Sequence, residues 1–211
     1  MIPEKEEWIK ALIGRHGAEL QKKFLSATVA VCGLGGLGSN IVTALARAGV
    51  GKLILIDFDR VDITNLHRQQ YKAGQIGMYK TEALSENIKE ISPYTEVETH
   101  TIKIDESNAN KLLKSADIIC EAFDKPEYKA MLVNFVLEFM PDKYIVSASG
   151  MAGISSANSI HTRKLSKRFY LCGDEVSDVS ESTALLSSRV MLCAAHQAHT
   201  VLRILANEFE A

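Results

Sequence analysis

The sequence predicts an α/β fold, a Rossmann-like, mainly parallel sheet with helices on both faces, an N-terminal helical segment and a long C-terminal helix. Three observations predict it. Short runs rich in Val and Ile alternate with longer stretches of helical period, which is the pattern of strands returned by crossover helices. A glycine-rich turn joins the first such run to a helix. The 211 residues, 46% hydrophobic and 24% charged, are enough to bury one sizeable core in a single domain.

The elements follow in chain order. Residues 1–27 read as an amphipathic helical extension, with Trp8, Ile9, Leu12 and Ile13 on one face and Leu20, Phe24 and Leu25 continuing it; that face is expected to be core, with a dimer contact as the alternative. The nucleotide-binding core is expected over 28–160. Its strands are "TVAVCG" (28–33), "KLILID" (52–57), "EVETHTIK" (96–103), "ADIICEAF" (116–123) and "KYIVSAS" (143–149). "TRKLSKRFYLCGDEVSDVSEST" (162–183) is polar and irregular, and is expected to be a mobile, crossover-like segment. The stretch 184–209 reads as one helix.

Composition excludes several classes. A net charge of −2 and a pI near 6.3 supply no basic footprint for nucleic acid or an anionic membrane. No apolar run approaches the length of a membrane span, and "MIPEKEEWIK" has acids where a signal peptide has a basic flank, so a cytosolic protein is expected. Cys32, Cys120, Cys172 and Cys193 are widely spaced, without a C-x-x-C pair, and suggest neither a disulfide framework nor structural zinc. Cys32 and Cys120 fall inside strands and read as core.

"GLGGLGSN" (33–40) sets Gly33, Gly35 and Gly38 in G-x-G-x-x-G spacing between a strand and a helix. Glycines there permit a tight turn and let backbone N–H groups at the helix start meet a phosphate. Asp57, 19 residues past Gly38, ends the second strand, where a carboxylate can accept from a ribose hydroxyl. A nicotinamide or flavin enzyme would need little more. The stretch "DFDRVDITNLHRQQ" (57–70) adds far more, with Asp59, Asn65, Arg68 and Gln69, and Lys80 follows after "QIGMY". Cations and amides in this number suit a triphosphate, so ATP is the expected guest; solvated surface charge is the alternative for Arg68 and Lys80.

Asp124 follows the strand 117–123, at the sheet edge where open α/β folds bind ligands. A carboxylate beside a triphosphate is repelled unless Mg2+ bridges the two. The alternative is a helix N-cap, because "DKPEYKAML" starts a helix.

Together, "GLGGLGSN", "ARAGVGKLILIDFDRVDITNLHRQQY", "IGMYKTEAL" and "EAFD" resemble the ThiF/MoeB/HesA family, bacterial relatives of ubiquitin-activating enzymes, over at least residues 28–160. "SASGMAGISSANSIHTRKLSKRFYLCGD" and "CAAHQAHTVLRIL" further resemble its short, zinc-free ThiF branch. The resemblance implies an adenylyltransferase that uses ATP and Mg2+ to activate the C-terminal Gly-Gly carboxylate of a ubiquitin-like sulfur carrier, ThiS-like, in thiamine thiazole biosynthesis. It implies that Gly36 approaches the phosphates, Asp57 holds the ribose, Asn65, Arg68 and Lys80 contact the phosphates, and Asp124 binds Mg2+. A homodimer in which Arg15 reaches the partner's nucleotide is also implied, although Arg15 stands closer to the glycine loop than the family spacing. Some relatives carry a cysteine that joins the carrier covalently; Cys172 is the candidate here, with a plain loop cysteine as the alternative. Cys193, His196 and His199, at three-residue intervals, suggest metal ligation or a semi-polar helix face. The competing functions are an NAD-dependent oxidoreductase, an adenylyltransferase for another carrier (MoaD-like), a small-molecule carboxylate or a tRNA, and a catalytically inert scaffold for a carrier.

Overall fold

The structure, a computed structural model, describes residues 2–178 and 184–211. Alternation of the strand residues between two faces builds it. Val29, Val31, Leu53, Leu55, Ile118 and Cys120 point to one side of the sheet, and Ala30, Cys32, Ile54, Ile56 and Ile119 to the other. Five parallel strands carry this pattern or extend it: β1 (Thr28–Cys32), β2 (Lys52–Ile56), β3 (Glu96–His100), β4 (Ile118–Glu121) and β5 (Tyr144–Ala148). β6 (His161–Ser166) and β7 (Phe169–Gly173) complete a seven-stranded sheet of order β3-β2-β1-β4-β5-β7-β6, in which only β6 runs antiparallel to its neighbour.

Both faces need a cover, because the central strands are apolar on each side. On the first face lie α3 (Gly36–Arg47), α4 (Lys80–Ile91) and α7 (Ser187–Ala206). The second is covered by α5 (Ala109–Leu113) and α6 (Pro126–Phe139). No helix among the described residues is long and apolar enough to cross a membrane.

Two expectations are corrected. The N-terminal segment is two helices, α1 (Lys5–His16) and α2 (Ala18–Ser26), broken at Gly17 with φ +82°. Phe24 of α2 enters the core, but α1 buries no residue: Trp8 only edges Tyr94 at 6.3 Å, so the Trp8/Leu12/Ile13 face is not core. The second correction concerns 162–183. Residues 162–173 belong to the β6–β7 hairpin, because Tyr170 and Cys172 alternate inward under α7 while the charged β6 side chains face solvent along the sheet edge. Residues 179–183 of that expected segment lie outside the described residues.

Beyond β7 the chain is pinned by a buried ion pair between Asp174 and Arg189 of α7. The same guanidinium donates to the carbonyls of Ala152 (3.1 Å), Ser155 (2.9 Å) and Ser156 (2.9 Å) and to Ser159 Oγ (3.0 Å), so one side chain fixes the loops after β5 and β7. Burial pushes the Asp174 carboxyl up, but the N–H groups of Ser177 and Val176, the Ser177 hydroxyl and Arg189 outweigh it and hold it below its ordinary value. Arg189→Ala leaves that carboxylate buried without a counter-charge, and is expected to cost about 3–5 kcal/mol and lower Tm on the order of 10 °C. A depressed folded-state value makes the contribution full at neutral pH and lost as pH falls below about 4, so urea unfolding of wild type should show a steeper acid loss than the variant.

Candidate nucleotide-binding site

The chain order reverses between β1 and β4, and the loops that leave β1, β2 and β4 meet at that point, where open parallel sheets bind ligands. Glycine is required in the first loop by contact. Gly33 turns at φ +89°, and a Cβ there would stand 2.7 Å from the Ala122 carbonyl oxygen, so the β1 and β4 loops touch backbone to backbone. At Gly38 a Cβ would lie 1.8 Å from the Gly33 oxygen, which seats α3 directly on the turn. Gly35 and Gly36 open α3, leaving its first N–H groups directed into the crevice. Val190 of α7 closes over Gly36, where a Cβ would approach it to 2.8 Å.

Asp57 directly follows β2 and is buried. Its Oδ2 accepts from the Leu34 N–H (2.6 Å) and its Oδ1 from the Asp59 N–H (2.7 Å), which ties the glycine loop to the β2 loop and leaves a lone pair on each oxygen for a ribose hydroxyl. Burial raises its carboxyl above the ordinary value, against the pull of Lys80 and those two N–H groups. Lys80 opens α4 and is only 6% exposed, with its Nζ on Asp59 Oδ2 at 2.9 Å. The ammonium is thus kept beside the Asp57 carboxylate by a half-exposed partner.

The β2 loop brings the remaining donors. Asn65 closes a capping box in which its Oδ1 accepts from the Asp62 N–H at 3.2 Å, leaving its Nδ2 to donate. Arg68 donates to the Thr64 carbonyl (3.1 Å); burial draws its guanidinium down from the ordinary range and the Asp124 carboxylate pulls it back. Gln69 is 7% exposed, its amide nitrogen lies beside Gly35, and its Oε1 is buried with no hydrogen-bond partner.

Three residues that sequence reasoning left without a role lock these donors in place. Asn40 donates to the carbonyls of Gly36 (2.7 Å) and Arg68 (3.2 Å). Ser39 Oγ accepts from the Gln70 N–H (3.1 Å), and the buried Tyr71 hydroxyl donates to the Leu34 carbonyl (2.7 Å). "SN" directly after the last glycine was the available signal, since such side chains bond back to the carbonyl four residues earlier, here Ser39 to Gly35 (2.7 Å) and Asn40 to Gly36, and so stay at the turn.

Asp124 is exposed at the mouth of the same crevice. The cap alternative falls away: α6 is capped at Lys125, without a side-chain cap hydrogen bond, so the Asp124 carboxylate faces Arg68 with no capping duty.

Other sequence candidates are placed elsewhere. Arg15 is exposed on α1, whose neighbours are Gly49 and Tyr94 near the N-terminal ends of the strands, at the opposite end of the sheet from its own glycine loop. Cys172 is not in a loop: it lies wholly buried in β7, beside Thr162 and Thr200 hydroxyls, and burial pushes its thiol up to about 11. Cys193 is buried and pushed up to about 12, His196 Nδ1 is paired with the Thr162 hydroxyl at 3.0 Å, and His199 is exposed. Among the described residues no group of three His, Cys, Asp or Glu side chains can hold a metal ion, so the Cys193/His196/His199 spacing is a helix face. With all four thiols buried, iodoacetamide at pH 8 is expected to label the native protein on the order of a hundredfold more slowly than the urea-unfolded chain, as mass spectrometry would read. Rapid labelling of Cys172 in the native state would return it to the list of nucleophiles.

Similarity to known proteins accords with this geometry. The ThiF family model matches residues 9–211. The adenylyltransferase and sulfurtransferase MOCS3 of Caenorhabditis briggsae is 35% identical over 135 residues, covering 57% of this chain and 34% of its own length. The adenylyltransferase and sulfurtransferase UBA4 of Lodderomyces elongisporus is 36% identical over 132 residues, covering 62% and 29%. The chain therefore spans about a third of these relatives. Among solved structures, E. coli tRNA N6-threonylcarbamoyladenosine dehydratase TcdA in complex with AMP superimposes with a TM-score of 0.86 at 20% identity, over 99% of both chains. E. coli MccB with AMPCPP and MccA gives 0.72 at 23% identity, over 92% of this chain and 60% of that one. At such identities the two structures testify to a shared fold. The match across nearly the whole sequence and the glycine crevice with its ring of polar donors make this chain a member of the ThiF family.

Proposed function

We propose that the crevice binds ATP with Mg2+ and that the chain adenylates the C-terminal carboxylate of a ubiquitin-like sulfur carrier ending in Gly-Gly, ThiS-like, for thiamine thiazole biosynthesis. One observation carries the ATP reading: the N–H groups that open α3 and the Asp57 carboxylate tied to the glycine loop share one crevice with a set of cationic and amide donors, Arg68, Lys80 and Asn65, that a nicotinamide dinucleotide does not need. The names of MOCS3 and UBA4 as adenylyltransferases, and the AMP and AMPCPP complexes of the structural neighbours, support it.

The residues suit the chemistry. Asp57 would hold the ribose, the N–H groups at the start of α3 and Asn65 the phosphates, and Arg68 and Lys80 the charge that grows on the α-phosphate as pyrophosphate leaves. Asp124 would hold Mg2+, which neutralises the triphosphate against the carboxylate. The attacking carboxylate is already ionised at neutral pH, so no general base is called for, and catalysis reduces to alignment and charge neutralisation. In this step one carboxylate oxygen bonds to the α-phosphorus, the bond to the bridging oxygen breaks, and the acyl adenylate and pyrophosphate result. The reading includes a homodimer, because Arg15, at the far end of its own sheet, would reach a nucleotide only in a neighbouring subunit.

ATP–pyrophosphate exchange with the purified protein and Mg2+ is expected only when a carrier ending in Gly-Gly is present. No exchange with any carrier tried, together with measurable NAD binding, would move the assignment to an oxidoreductase. Arg68→Ala and Asp124→Ala should each lower carrier-dependent exchange by at least about tenfold in folded protein, as loss of a transition-state contact does. For the dimer, subunits bearing Arg15→Ala mixed with subunits bearing Arg68→Ala should regain part of the exchange that either variant lacks alone; a mixture no better than its components argues that each subunit works by itself.

A further inference from the structure

We propose that Glu121 is a positioning residue that holds the Asp124 loop in the one arrangement able to take a divalent cation against ATP, an inference that rests on the reading of Asp124 given above. Glu121 is the last residue of β4 and is wholly buried. Its carboxylate receives four hydrogen bonds. Oε1 accepts from the Phe123 N–H at 2.7 Å and from Lys129 Nζ at 2.8 Å, and Oε2 accepts from Lys129 Nζ at 2.9 Å and from the Ser147 hydroxyl.

The placement of these donors is what matters. Phe123 immediately precedes Asp124, Lys129 stands in the first turn of the helix that follows it, and Ser147 belongs to the neighbouring strand β5. One carboxylate thus grips the loop 122–125 on both sides of Asp124 and anchors it to the sheet. From the opposite face, Gln197 of α7 donates to the Glu121 carbonyl at 3.0 Å, and the Ala122 carbonyl abuts Gly33 in the nucleotide turn. Between these fixed points the Asp124 side chain is exposed and is engaged by no capping bond.

Stability alone does not account for a charged pair in this place. Desolvating a carboxylate and an ammonium commonly offsets their attraction, and an apolar pair of similar volume would pack the end of β4 at least as well. A geometric duty does account for it, because a hydrogen-bonded carboxylate fixes the direction of each donor whereas apolar contacts tolerate sliding. A purely structural role for the pair makes a different forecast: its loss would weaken ATP binding equally with and without the cation.

Calorimetric titration of ATP into the full chain, in Mg2+ and separately in EDTA, distinguishes them for wild type, Glu121→Gln, Asp124→Asn and the double variant. Glu121→Gln should weaken ATP about tenfold in Mg2+ and less than about twofold in EDTA, as loss of support behind a metal ligand does. The double variant should bind no more weakly than Asp124→Asn, since both act through one carboxylate. Unchanged affinity of folded Glu121→Gln in Mg2+, or an equal loss in both buffers, overturns the inference while leaving the Mg2+ role of Asp124 standing. No Mg2+-specific loss in Asp124→Asn overturns that role and the inference with it. Should Glu121→Gln not fold with Lys129 left unpaired, Glu121→Gln/Lys129→Met removes both charges at once and faces the same two outcomes.

Discussion

Everything in the crevice is measured from the close approach of the turn after β1 to its two neighbours. The Gly33 oxygen stands 1.8 Å from where a Cβ of Gly38 would be, and the Ala122 oxygen 2.7 Å from where a Cβ of Gly33 would be, too close for either. Three pieces of backbone therefore pack with no side chain between them. The consequence is that the start of α3, the end of β1 and the loop after β4 form one rigid edge, to which the β2 loop is stitched by Asp57, Asn40, Ser39 and Tyr71. Rigid placement is what an alignment-based catalyst needs, because small errors in position forfeit much of the advantage of holding reactants together.

Buried charge serves the same end in two further places. The Glu121–Lys129 and Asp174–Arg189 pairs each lie under a loop at the C-terminal edge of the sheet; the first holds the Phe123 N–H and the Ser147 hydroxyl, and the second holds backbone groups of the loops after both β5 and β7. Loops on the surface ordinarily keep their polar groups in water. Here fixed side chains take the place of water, so the loops after β4, β5 and β7 acquire the order of the sheet beneath them.

Much of this was legible in the residues. The five parallel strands, the glycine turn and the C-terminal helix follow from periodicities that local sterics and burial impose, and the structure keeps them within a few residues. The polar groups of 57–70 and Lys80 were legible as a set because nothing about turning a chain calls for so many. The hairpin of β6 and β7 was not, since "RKLSKR" is the outer edge of the sheet and its charged pattern is that of a loop until a neighbouring strand is supplied. Cys172 shared that fate: its place in a polar, irregular stretch suggested a loop, while its register in β7 turns it beneath α7. The α1 face misled in the opposite sense, apolar in sequence yet packed against little in this chain.

The sequence by itself determined the fold class, the family and the identity of the polar groups that line the crevice, because these depend on local periodicity and on motifs read along the chain. Only the tertiary structure decided which carboxylates are free and which are committed. Asp124 and Glu121 stand three residues apart in one short motif, yet one opens to the crevice and the other is closed within the core. That difference arises from Lys129, Ser147 and Phe123 converging on Glu121 from a helix, a neighbouring strand and the loop itself, a convergence that no linear spacing encodes.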